Sequence, residues 1–142
     1  MEKRIRSIKV KIDGYTFDSE TEAEYYAYLR QRIKDGVIAE IEVHPSFILQ
    51  PAFERFGVKY KQIKYIADFL VRTPEGKTII IDVKGWAMED AHLKRKIFAF
   101  KYPDLELRWI AASKKFSTTG WIDYDELQRI RAKNRREKRK ER

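Results

Sequence analysis

Three carboxylates and one amine carry most of the chemistry this chain can offer. Asp82 and Lys84 close the run Thr78-Ile-Ile-Ile-Asp-Val-Lys84. Two apart on a strand, they point to one face, while the Val83 side chain points away and leaves its backbone carbonyl beside them. Asp68 interrupts Tyr65-Ile-Ala-Asp-Phe-Leu-Val71, a stretch otherwise apolar on both faces. A lone carboxylate there needs a partner or carries a large desolvation cost. Thr73-Pro-Glu-Gly76 has the composition of a turn, and pairing Arg72 with Lys77 sets residue 82 opposite 67, or opposite 68 with one bulge. Either way the two aspartates are neighbours, and like charges so placed destabilise a sheet unless something neutralises them. A hard divalent cation does so: Mg²⁺ takes one or two carboxylates with water and phosphate oxygens, and the Val83 carbonyl is a further ligand. An ammonium beside such an ion orients or helps deprotonate an attacking water and stabilises charge growing on phosphorus. The expected chemistry is phosphodiester hydrolysis.

Each part also has a plainer reading. An Asp at the end of an isoleucine run, followed by Lys-Gly, is how an ordinary strand leaves a core. Glu22 is ambiguous in the same way. Ser19-x-x-Glu22 has capping-box spacing, so its carboxylate could simply close a helix N-terminus. Yet Glu22 also heads the stripe Tyr25, Tyr26, Leu29 and Ile33, which aims it at the sheet, where it would be another anionic ligand. Other chemistries are excluded by composition. The chain has no cysteine, and its two histidines, His44 and His92, are too far apart in sequence for a paired-histidine metal motif. Carboxylates and lysines are therefore expected to carry any catalysis.

The elements that position these groups follow from local pattern. Residues 8–17 alternate about Asp13-Gly14, a hairpin signal, and Asp18-Ser19 begin a helix that ends near Asp35-Gly36. Residues 37–43 and 46–56 read as short or edge strands limited by Pro45 and Pro51. Residues 60–72 and 77–84 read as two longer strands in an antiparallel hairpin. A second helix is expected from Met88 to Lys101 with Leu93, Ile97 and Phe100 as its core stripe, then a strand over 105–111 and a loop over 114–120. A last helix starts at Asp123, capped with Glu126. The chain is thus one α/β domain, residues 1–128, with a basic extension over 129–142.

Charge points to a polyanionic partner. The 142 residues carry a formal net charge of +9, of which +7 lies between Arg129 and Arg142. Arg129, Arg131, Lys133, Arg135 and Arg136 are the tail's candidate phosphate contacts; Lys94, Arg95 and Lys96 are those of the second helix. A solvated helix face explains the same residues without a partner. No apolar run approaches the ~20 residues of a membrane span, and the basic start lacks the apolar block of a signal peptide, so a cytoplasmic location is expected, in a host cell if the gene is a phage's.

At these residues the chain resembles the PD-(D/E)XK nuclease superfamily: Glu22 on the first helix, Asp68 in Ile66-Ala-Asp-Phe69, and Asp82-Val-Lys84, in α-β-β-β-α-β order. Phe17-Asp-Ser-x-x-Glu22-Ala, Leu49-Gln-Pro-Ala-Phe53, Asp82-Val-Lys-Gly85 and Tyr102-Pro103 are similar to small phage and prophage nucleases related to Holliday junction resolvases. The resemblance spans about residues 8–110, with Ala67 standing where proline is common. It implies a restriction-endonuclease-like core with a mixed central sheet flanked by helices, and a Mg²⁺- or Mn²⁺-dependent DNA endonuclease. In that reading Glu22, Asp68 and Asp82 are metal ligands and Lys84 is the catalytic lysine. Cutting a four-way junction symmetrically needs two sites, hence a homodimer. The competing readings are a nuclease for flaps, ends or restriction-type sites, and a non-catalytic DNA-binding protein acting on branched or duplex DNA.

Overall fold

The computed structural model describes residues 8–142. Strands β1 (Val10–Ile12) and β2 (Tyr15–Phe17) form the expected hairpin, with Asp13 and Gly14 both at positive φ, as a two-residue turn matched to strand twist requires. The Ser19 hydroxyl caps α1 (Glu20–Lys34) by accepting the Glu22 N–H at 3.1 Å. Tyr25, Tyr26 and Leu29 of α1 bury themselves against Phe17, Phe69, Val71, Ile79 and Ile81.

The chain then enters the main sheet as β3 (Glu40–Val43) and leaves it at His44-Pro45. β4 (Ser46–Gln50) runs outward, the hairpin of β5 (Phe53–Arg55) and β6 (Val58–Tyr60) caps the excursion, and β7 (Ile63–Ile66) returns beside β4. After Ala67-Asp68 the chain rejoins the main sheet as β8 (Phe69–Arg72), paired with β3. The stretch 60–72, expected as one strand, is therefore divided between sheets. Period-two alternation continues through 67–68 and cannot register a change of partner.

From β8 a tight turn leads to β9 (Thr78–Val83), with Thr73 N–H donating to the Lys77 carbonyl at 2.9 Å and Gly76 at φ 90°. The extra residue lies in this turn, so Arg72 pairs with Thr78 and the two aspartates meet without a bulge in the strands. Helix α2 (Glu89–Lys101) follows, then β10 (Glu106–Ala112), parallel to β9, and β11 (Trp121–Asp123), antiparallel to β10. β11 was not expected: three residues are too few to show alternation. Asp123 caps α3 (Tyr124–Lys140) by accepting the Glu126 N–H at 3.0 Å. The five-stranded order is β11-β10-β9-β8-β3.

The result is an α/β fold with a mixed central sheet flanked by helices. α1 covers one face, and α2 and α3 lie on the other. The inward face of α2 is Ala91, Arg95, Ile97 and Phe98: of the expected Leu93, Ile97 and Phe100, Ile97 packs against the core, whereas Leu93 is 58% and Phe100 90% exposed, and Phe98 is fully buried. Choosing a stripe by apolarity found only Ile97 because the true face contains an arginine. Among the described residues no helix is long and apolar enough to cross a membrane.

Candidate active site

The site lies at the crease where the β3/β8 ladder meets the β4/β7 ladder. His44 N–H donates to the Asp68 carbonyl at 2.9 Å and Ala67 N–H to the Pro45 carbonyl at 3.0 Å, so pairing continues through the bend. His44 sits in the left-handed region at φ 55°, a conformation uncommon for residues with a Cβ. That turn sends the chain out of the sheet with the imidazole directed at α1, where its Nε2 lies 2.8 Å from Glu22 Oε1.

Glu22, His44 and Asp68 each bring one ligand-type atom within 4.8 Å of the others. Glu22 is only 5% exposed. Ser19 accepts its backbone N–H, but its carboxylate goes to His44 and does not return to the helix N-terminus as a capping box would. Asp82, 2% exposed, is joined to Asp68 reciprocally: Asp68 N–H donates to Asp82 Oδ1 at 2.9 Å, and Val83 N–H donates to Asp68 Oδ2 at 2.7 Å. An extended residue sends its N–H and C=O to the same strand edge, so the Val83 carbonyl lies on the Asp68 side.

Polar groups behind the cleft fix Asp82. The Tyr65 hydroxyl donates to Asp82 Oδ2 and accepts the Trp109 indole N–H at 2.9 Å. Burial and the Asp82 charge push the Tyr65 phenol up, so it remains a donor. Lys84 Nζ lies 3.6 Å from Asp82 Oδ2 and 5.1 Å from the Trp109 ring centroid, partly shielded from water. Burial, then the charges of Asp82 and Glu22, raise Asp68 to about 8; the Val83 N–H and Lys84 oppose the shift without cancelling it. Three acids gathered around one ammonium leave a deficit of positive charge. Two carboxylates and an imidazole form a donor set suited to a divalent cation, so the residues present fit such an ion.

The acids line a cleft of about 520 Å³ together with Lys84 and the exposed Trp86. An adjoining cleft of about 260 Å³ shares Asp82 and Lys84 and is flanked by Lys64 and Lys94.

Residues 2–118 match the family described as Protein of unknown function (DUF1064). The chain belongs to this family. The DUF1064 match takes in the whole acid cluster and Lys84 and ends before α3. No curated protein and no solved structure matches the chain.

All four residues expected in the site, Glu22, Asp68, Asp82 and Lys84, meet at the crease. His44 is the neighbour that sequence reasoning missed: its imidazole contacts Glu22 beside the carboxylates and lysine expected there. Its partner is distant in the chain, and only the β3/β8 pairing reveals it. Of the candidate phosphate contacts on α2, Lys94 reaches the cleft rim and Lys96 is exposed. Arg95 is turned inward, bonded through both terminal nitrogens to Asp125 and stacked at 4.3 Å on Trp109, which corrects its expected role as a phosphate contact. On α3, Arg131 and Arg135 line a groove, while Arg129, Lys133 and Arg136 do not.

Proposed function

We propose that this DUF1064 protein is a metal-dependent, structure-selective DNA endonuclease of the Holliday junction resolvase type, working as a homodimer in the cytoplasm. The observation that carries the reading is one cleft lined by Glu22, Asp68, Asp82 and Lys84, with His44 in contact with Glu22 and close to Asp68. The order of elements agrees with a restriction-endonuclease-like core, and the basic surface suits a phosphate backbone.

A divalent ion held by Glu22, His44, Asp68 and Asp82 would offset phosphate charge and lower the pKa of water, supplying a nucleophile near neutral pH. The chain's own groups do the rest. Tyr65 and the Asp68 N–H hold Asp82 in one orientation. Lys84, kept close by Asp82 and Trp109, presents its ammonium to a phosphate oxygen or to the attacking water. His44 adds an imidazole to an otherwise hard donor set, which favours Mn²⁺ beside Mg²⁺.

The test is incubation with a labelled four-way junction, a linear duplex and a single strand, each with Mg²⁺, Mn²⁺ or EDTA. Metal-dependent cutting of the junction in preference to the other two is expected. Cutting that survives EDTA would remove the metal reading, and equal cutting of all three would remove the structural selectivity. A non-catalytic DNA-binding protein would bind the junction and cut nothing with either ion.

A further inference from the structure

We infer that the groove between α3 and the β10–β11 loop is a second DNA contact, holding the phosphate backbone of duplex a few base pairs from the scissile phosphate. This rests on the nuclease reading and adds a path for the substrate to it.

The groove arises from a change of residue type along one helical stripe. Tyr124 and Leu127 bury the first turns of α3 against Trp109, Ala111 and Ile122. The same stripe, at spacings of three and four, continues as Arg131, Asn134, Arg135 and Lys138, which face Lys114, Lys115 and Phe116 across a groove of about 470 Å³. Five of the lining residues are cationic and none is acidic. Among the described residues, none of these five makes an ion pair. Cations assembled around an open space with no counter-charge repel each other, and a row of phosphates relieves that repulsion along the groove's length. Asn134 adds a neutral hydrogen-bonding group of the kind that contacts phosphate and sugar.

Position ties the groove to the acid cluster. β10 runs parallel to β9 with Ile110 beside Val83, and Lys84 N–H donates to the Ile110 carbonyl at 2.7 Å. The loop that follows β10 therefore leaves the sheet at the end where Asp82 and Lys84 lie. With ~3.3 Å per residue and ~4.8 Å between strands, the groove, whose lining starts at Ala112, begins ~8 Å from Val83. That span is roughly two or three base-pair steps of ~3.4 Å each. A duplex entering the acid cleft reaches α3 within half a helical turn.

The test compares two charge-matched triple variants at exposed positions of the full chain. The groove set is Lys115→Gln, Arg135→Gln and Lys138→Gln; the far-face set is Lys133→Gln, Arg136→Gln and Lys140→Gln. Binding of labelled DNA duplex and four-way junction is followed by fluorescence anisotropy in EDTA over about 50–200 mM salt. The groove set should lower the slope of log affinity against log salt by ~2–3 and the affinity by at least ~10-fold, with the far-face set moving the slope less than half as much. In cleavage assays the groove set should raise KM while changing kcat less than about twofold. Equal losses in the two sets would show that only net charge matters and would overturn the groove. So would a wild-type slope in the groove set, or tighter groove-dependent binding of an RNA duplex than of DNA. If the wild type binds DNA with groove dependence but cuts nothing, the nuclease reading falls and the groove stands; if it binds no DNA, both fall.

Discussion

Asp68 is the residue on which the site's electrostatics turn. Its carboxyl titrates at about 8 against an ordinary 3.8, because burial and the charges of Asp82 and Glu22 disfavour the anion. The folded chain thus holds a proton that the unfolded chain has released. The resulting stabilisation is complete below 3.8 and is lost as pH rises through about 8. Each pKa unit corresponds to ~1.4 kcal/mol, so the loss in metal-free protein is on the order of a few kcal/mol. Asp68→Asn removes the titration. Urea unfolding in EDTA should show its stability relative to wild type rising by at least ~1 kcal/mol between about pH 5 and pH 9; a difference flat with pH would contradict the assignment. His44 carries a second prediction. Loss of an outer partner of a metal ligand already costs ~10–100-fold in affinity, so His44→Ala should weaken Mn²⁺ binding at least ~10-fold and Mg²⁺ binding less. Calorimetric titration without DNA measures both, and equal losses would mean that the imidazole is not a ligand.

The crease is the element-scale device that makes the site. Two ladders share one bent hairpin, and the bend presents His44, Asp68 and, through register, Asp82 at one point. Behind it, Arg95 clamps α2 to α3 through Asp125 while covering Trp109, and that bond holds Asp125 below the usual carboxylate range. A double-mutant cycle of Arg95→Gln and Asp125→Asn should give a coupling of about 1 kcal/mol, above that of most exposed pairs because the contact is bidentate. Additive effects in thermal or urea unfolding would show that the clamp contributes nothing. Features fixed locally were legible in the sequence: the Asp13-Gly14 turn, the Ser19 cap, and Asp82 and Lys84 on one strand face. Their signals lie within a few residues of one another. The break at Ala67-Asp68, the inward face of Arg95 and the role of His44 were not legible, because each depends on a partner far along the chain. Asp68 is an instructive middle case: its misfit in an apolar run was visible, but the bend that explains it was not.

At the scale of the molecule, the chain combines an acidic cleft at the end of its central sheet with a strongly basic surface, and most of its +9 charge lies on α3. A nuclease needs this separation: phosphate attracted by the basic surface, and a cation held where acids are concentrated. On the proposed reading, one site per chain would make paired cutting of a four-way junction a property of two copies related by a twofold axis. The most direct measurement of the central claim is single-turnover cleavage of a labelled four-way junction in Mn²⁺ by wild type and Asp82→Asn, with binding of both measured in EDTA. The predicted result is at least a ~100-fold loss of cleavage with affinity within about threefold of wild type. Wild-type cleavage by Asp82→Asn, or tight binding by the wild type with no cleavage in any divalent ion, would contradict it.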